Sequence, residues 1–176
     1  MMKKLNMEEL NRMSVEEFKQ AEKLPLVVVL DNVRSLNNIG SVFRTADAFR
    51  LQRICLCGIT ATPPHRDIHK TALGAEDSVA WQYFDSTSDC VEQLKREGYK
   101  VYAVEQVDDS VMLHQFAAPS GNPMAIIFGN EVEGVDEALL PLCEGSIEIP
   151  QFGTKHSLNI SIAAGILIWE MWRQMR

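Results

Sequence analysis

The sequence predicts an α/β fold, a mainly parallel sheet flanked by helices, and three observations carry that prediction. Short, unbroken apolar runs rich in β-branched residues recur, residues 26–30 and 124–128 among them. Runs of that length and composition belong to parallel strands covered on both faces. Stretches of helical periodicity separate the runs, and strands alternating with helices build parallel sheets. Polar loops containing glycine follow the runs, and in such folds ligands sit outside the carboxyl ends of the strands. A chain of 176 residues is one domain by length and long enough to bury a core.

Residues 3–23 read as an amphipathic helix of mixed charge, with Leu10, Met13 and Phe18 as its buried contacts and a capping box from Ser14 to Glu17. Residues 1–24 are then a helical extension and residues 25–176 the core. A strand over 26–30 ends in the polar loop 31–40. A helix over 41–49 follows, with Val42, Ala46 and Phe49 on one face. After a strand over 53–57, Pro63 and Pro64 exclude regular structure. The basic segment 65–75 suits a cover over a ligand or a phosphate chain. Next come a strand over 79–84, a helix over 89–97 stopped by Gly98, and a strand over 100–104. The strand over 124–128 precedes a short helix over 136–140 ended by Pro141, and a strand over 146–149 ends at Pro150. The last helix runs from Ser157 to about Met175. Ile160, Ile162, Ile166, Leu167, Trp169, Met171 and Trp172 make it apolar nearly all round, so it is buried or packs on a partner chain.

Several function classes drop out. The N-terminus lacks the apolar segment of a signal peptide, and the longest apolar run, 160–169, is too short to span a bilayer. Cysteines at 55, 57, 90 and 143 lack paired zinc spacing and read as reduced core residues of a cytosolic protein. No His, Cys or carboxylate cluster has ligand spacing, so no metal is expected. Neither G-x-G-x-x-G nor G-K-[ST] occurs. A net charge of −7 and a pI near 5.1 argue against a simple electrostatic nucleic-acid binder. Residues 26–75 are nonetheless basic, with six Arg or Lys against three Asp.

Three loops hold the residues with chemistry: Asn38 to Arg44, Gly129-Asn130-Glu131 to Gly134, and Ser157-Leu158-Asn159. They combine one guanidinium, one carboxylate, amides, hydroxyls and glycines that admit a ligand to the backbone. Arg44 suits a phosphate or carboxylate, held bidentately. Taken singly, each has a plainer reading. Arg44 fits a salt bridge to Asp31 or Asp47, Glu131 a carboxylate at a helix start, Ser157 an N-cap, and Asn159 a turn.

In this order the three stretches resemble the SpoU (TrmH-like) family of RNA ribose 2′-O-methyltransferases, of the SPOUT class. The first motif is Asn37-Asn38-Ile-Gly40-Ser-Val-Phe-Arg44-Thr-Ala-Asp47 and the second Ile127-Phe-Gly129-Asn-Glu131-Val-Glu-Gly134-Val. The third is Ile147-Glu-Ile149-Pro150 with Ser157-Leu-Asn159-Ile-Ser161 and the residues to Gly165. Lys70-Thr71-Ala-Leu-Gly74-Ala75 resembles the loop between the first two. The resemblance covers the chain from about residue 26 and implies a deep trefoil knot in the C-terminal part, an exception to the rule against knots. It implies S-adenosyl-L-methionine as cofactor, held near Val104, Gly129, Ile149, Leu158 and Asn159. Arg44 would be the catalytic arginine, with Asn38, Glu131, Ser157 and Asn159 completing the site. The family is dimeric, so a homodimer is expected. Arg34, Arg53, Arg66 and Lys70 would grip RNA, tRNA in preference to rRNA, since minimal relatives generally act on tRNA. A non-catalytic RNA-binding protein that keeps the knot is the competing reading.

Overall fold

A computed structural model describes all 176 residues. A short helix α1 (Val15–Gln20) leads into strand β1 (Leu24–Asp31), helix α2 (Leu36–Ala48) and strand β2 (Leu51–Cys57). Helices α3 (Arg66–Ala72) and α4 (Ala75–Ser78) precede strand β3 (Trp81–Phe84), helix α5 (Thr87–Arg96) and strand β4 (Lys100–Val104). Strand β5 (Val111–Met112) and a 3₁₀ turn, Leu113–Gln115, come before strand β6 (Met124–Phe128). A 3₁₀ helix, Glu137–Leu142, strand β7 (Gly145–Glu148) and helix α6 (Ile160–Met175) complete the chain. The seven strands form one sheet in the order β3-β2-β1-β6-β4-β7-β5, with every neighbouring pair parallel.

β1 shows why its sequence reads as an unbroken apolar run. Leu26, Val28 and Leu30 enter the larger core beneath α2 and α6, while Val27 and Val29 enter the smaller one beneath α5. Alternate side chains leave opposite faces of a strand, so a strand covered twice must be apolar at every position. α2 sends Ile39, Val42, Phe43 and Ala46 into the larger core, and α6 sends Ala164, Leu167, Ile168 and Met171. Cys90, Val91 and Leu94 of α5 complete the smaller one. All four cysteines are unpaired, three of them buried.

Several boundaries differ from expectation, each for a physical reason. The helix expected over 3–23 is confined to α1. The capping box at Ser14 starts it, Phe18 is its one buried residue, and Leu10 and Met13 are exposed because nothing packs above them. α2 begins at Leu36, five residues earlier than expected, because the Ser35 hydroxyl accepts from the Asn38 N–H at 3.2 Å. The loop expected over 31–40 is therefore half helix, and Phe49 is the C-cap. α6 starts at Ile160, with Asn159 as N-cap, so Ser157 is not the helix cap. Pro141 lies inside the 3₁₀ helix and does not end it. The strands expected over 79–84 and 146–149 are displaced slightly, to Trp81–Phe84 and Gly145–Glu148.

Candidate active site

The loops that leave the carboxyl ends of β4, β6 and β7 surround a cavity of about 600 Å³, together with the first turn of α2 and the start of α6. The site residues expected from the sequence divide cleanly around it. Asn38, Val104, Gly129, Glu131, Ile149, Ser157, Leu158 and Asn159 all line the cavity. Arg34, Arg44, Arg53, Arg66 and Lys70 do not.

Close approaches of backbone build the walls. A Cβ on Gly129 would lie 2.0 Å from the Gly134 carbonyl carbon and 2.1 Å from the Val135 nitrogen. Gly134 has φ +73°, the left-handed region, and a Cβ there would meet the Glu105 carboxylate at 2.2 Å. Between these glycines, Asn130 and Gly134 exchange two backbone hydrogen bonds of 2.9 Å. The Asn130 Oδ1 accepts from the N–H groups of Val132 and Glu133, and its Nδ2 donates to the Asn32 carbonyl at 2.8 Å. At the first motif, a Cβ on Gly40 would lie 2.1 Å from Thr71 Oγ1 and 2.2 Å from the Ile68 carbonyl, so glycine there permits α2 and α3 to cross.

Side chains then tie the three motifs together. The Glu131 carboxylate accepts from the N–H groups of Arg34 at 3.0 Å and Ser35 at 2.9 Å. Burial pushes its pKa up, but those two N–H groups, with its own N–H and the Asn38 side chain, outweigh burial and hold it below its ordinary value. Asn159 donates through Nδ2 to Asn38 Oδ1 at 3.2 Å, while its own Oδ1 accepts from the N–H and hydroxyl of Ser161. Glu131 thus ties the β6 loop to the segment that leads into α2.

Glu131 is fully charged above the ordinary glutamate pKa of about 4.3, and its stabilisation of the loop is lost as pH falls through the lower folded value. The amide resonances of Arg34 and Ser35 should titrate together with a midpoint below about 4.3. A midpoint at or above that value, or no shared titration, would contradict the contact.

Arg44 is exposed on α2 and takes part in none of the six ion pairs. The carboxylates proposed as its partners are engaged elsewhere. Asp47 accepts from the Ser78 hydroxyl, and buried Asp31 accepts from the Thr87 hydroxyl at 2.5 Å and the Asp136 N–H at 3.1 Å. Helical side chains lean towards the helix N-terminus, which is the end of α2 that carries Asn38 and the cavity. Arg53 lies apart, near the amino end of β2, paired with Glu97 at 2.5 Å and set over the Tyr99 ring. Arg66 and Lys70 are exposed on α3, where Lys70 pairs with Asp67 at 3.0 Å, and Arg34 is exposed in the β1–α2 loop.

Two contributors escaped the sequence reading. Glu105 accepts from Val135 N–H at 3.0 Å, fastening the β6 loop to the end of β4, and Asp31 does the same for Asp136 from the end of β1. An acid closing an apolar strand run was the signal available for both. No group of three or more His, Cys, Asp or Glu is arranged to hold a metal ion, and no helix is long and apolar enough to cross a membrane.

Residues 25–169 match the SpoU rRNA Methylase family. A tRNA (guanosine(18)-2′-O)-methyltransferase of Thermus thermophilus is 30% identical over 166 residues, which cover 94% of this chain and 84% of that protein. A Staphylococcus haemolyticus protein placed in the TrmH family of tRNA/rRNA methyltransferases is 29% identical over 160 residues, 91% of this chain and 63% of the relative. Among solved structures, the AdoMet-bound rRNA methyltransferase of Sinorhizobium meliloti superposes with a TM-score of 0.81 at 28% identity, over 90% of this chain and 60% of that one. The chain therefore spans less than two thirds of the length of the last two proteins.

Proposed function

This chain belongs to the SpoU rRNA methylase family, and on that premise we propose that it transfers a methyl group from S-adenosyl-L-methionine to a ribose 2′-hydroxyl of RNA. One observation supports the cofactor above others. Glu105, Glu131, Glu133, Glu137 and Glu148 line the cavity, and no lysine or arginine does. An anionic wall repels phosphate and attracts a cation, and the cofactor is a sulfonium cation that supplies, when bound, an electrophilic methyl group. Val104, Ile149 and Leu158 offer apolar contact for an adenine, and Gly129 and Asn159 offer backbone and amide groups beside it.

The same charge pattern keeps RNA phosphates outside the cavity, where the free cations stand. The reaction requires the hydroxyl to be held in line and its proton removed. Arginine stays protonated in proteins, so we assign Arg44 to gripping a phosphate next to the target ribose, not to accepting the proton. Asn38, Glu131, Ser157 and Asn159 order the loops and orient the substrate. Arg34, Arg66 and Lys70 extend the RNA path, the Lys70–Asp67 pair being open to solvent; Arg53, half-buried against Glu97 near the amino end of β2, does not belong to it. Among the relatives above, the one this chain spans most fully acts on tRNA, which favours tRNA over rRNA. Family membership also carries the expectation of a C-terminal segment threaded into a knot.

A homodimer completes the reading. α6 exposes Ile162, Ile166 and Trp169, the last stacked on Trp172 with ring centroids 5.2 Å apart and edge-on to Phe49 at 6.0 Å. An apolar stripe of this kind marks an interaction face. Trp169→Glu should halve the mass measured by light scattering, and a variant that stays dimeric would remove α6 from the seam.

The test of the whole reading is transfer of label from radioactive S-adenosyl-L-methionine to unmodified bulk tRNA and, separately, to rRNA. Label in tRNA supports it, and label in rRNA alone corrects the substrate. No label in either, from protein that binds the cofactor, points to an RNA-binding protein in an enzyme's fold.

A further inference from the structure

Phe152 is 97% exposed, in the loop between β7 and α6. Its neighbours Gln151 and His156 line the cavity, whereas Phe152 itself does not, so the residue sits in a loop that borders the cavity with its ring in solvent. Val132, 78% exposed in the β6 loop, and Leu158, partly exposed, line the cavity. A single exposed apolar side chain is ordinary. Phe152 and Val132, from two of the loops that surround the acid-lined cavity, set exposed apolar surface beside it. Burying a phenylalanine contributes roughly 1.5–3 kcal/mol, and Phe152 has no aromatic partner within its own chain. Lys155 and His156 on the same loop as Phe152 and Arg34 in the β1–α2 loop are also exposed.

This combination sorts the parts of a nucleotide. The anionic interior excludes the phosphate, while exposed cations around it accept one. A base is flat and uncharged and needs an apolar surface to leave its stack. Single-stranded RNA is held in this way, with bases stacked on aromatic side chains regardless of base identity. We propose that Phe152 is the platform on which the base of the target nucleotide stacks while its ribose faces the cavity, with Val132 bordering it. The proposal rests on the reading of the cavity as a methyltransferase site, and makes Phe152 a positioning residue for the substrate, with no part in holding the cofactor.

The test uses the full chain with Phe152→Ala and Phe152→Trp. Because the ring is exposed, neither change threatens folding. Three quantities are measured: equilibrium affinity for unmodified bulk tRNA and for rRNA, cofactor affinity by calorimetry, and native mass. Phe152→Ala should weaken RNA binding and raise the RNA KM about tenfold, the scale of one lost base stack, with kcat less affected. Phe152→Trp should restore both to within about threefold, and cofactor affinity and mass should not change. RNA affinity within twofold of wild type in Phe152→Ala would overturn the proposal. So would a matching fall in cofactor affinity, which would make Phe152 part of that site, or a halved mass, which would make it a contact to a second subunit. Wild-type protein that binds RNA but transfers no methyl would refute the enzymatic reading and still leave the stack decided by binding. Wild type that binds neither RNA would refute both.

Discussion

Gly129→Ala should cost at least tenfold in affinity for S-adenosyl-L-methionine and about a hundredfold in methyl transfer, while the protein still folds. The added methyl would lie 2.0 Å from the Gly134 carbonyl carbon and 2.1 Å from the Val135 nitrogen. Both are backbone atoms and cannot swing aside as a side-chain tip would, so the segment from Asn130 to Val135 must move as a unit. That movement opens the Asn130–Gly134 bridge and withdraws Glu131 from the N–H groups of Arg34 and Ser35. Overpacking of this kind costs roughly 1–3 kcal/mol, a fraction of the 5–15 kcal/mol that holds a domain together. Thermal unfolding should therefore fall by only about 2–12 °C, and the main loss falls on the cavity. Calorimetry with the cofactor and a melting curve separate the two effects. Gly153→Ala is the control, since nothing lies within 4 Å of a Cβ there. Cofactor affinity of Gly129→Ala within twofold of wild type would show that the loop tolerates the displacement and that the close approach is not what shapes the site.

How much of this was legible in the sequence depends on how local each signal is. Central strands announced themselves because burial on both faces demands an apolar residue at every position, a condition that residues 26–30 of β1 and all of β6 meet. Two-residue β5 could not announce itself, since Val111 and Met112 are no longer than a chance pair. The true start of α2 was hidden because Asn37 and Asn38 are poor helix formers in isolation. They become helical through the Ser35 cap and through Gly40 seated against α3, and the second cause is a tertiary contact.

For the site, the motifs named residues that do converge, yet their connections lay beyond reach. Glu131 meets Arg34 and Ser35 across 97 and 96 residues of chain, and Asn159 meets Asn38 across 121. The plain readings of Glu131 and Asn159 were each partly apt: Glu131 holds the N–H groups at the entry to α2, and Asn159 caps α6 through Oδ1 while its Nδ2 reaches Asn38 of the first motif. The pairing of Arg53 was hidden because composition records that a region is basic, not that one cation has Glu97 waiting 44 residues away.

Arg44→Ala is expected to reduce methyl transfer by two to three orders of magnitude while cofactor affinity stays within a few-fold. The asymmetry follows from position. Arg44 sits six residues beyond Asn38, about 9 Å further along α2 at 1.5 Å per residue, and lines no part of the cavity. It also has no carboxylate to neutralise it, because Asp31 and Asp47 are spent on Thr87 and Ser78. An unpaired, exposed guanidinium is held by nothing in its own chain and is free to close on a phosphate with both arms. Misplacing a reacting group by about 1 Å costs on the order of a hundredfold, so if Arg44 fixes the ribose as proposed, removing it should cost at least that much. Two further readouts distinguish gripping from proton removal. Loss of one phosphate contact should reduce the salt dependence of RNA binding by about one unit of logarithmic slope, whereas loss of a base would leave that slope unchanged. Arg44→Lys keeps the charge but not the planar fork, and should recover RNA affinity better than it recovers rate. Cofactor binding that collapsed along with transfer would move Arg44 into the cofactor site. An Arg44→Ala protein that transferred methyl at the wild-type rate would leave the phosphate grip to Arg34 or Lys155.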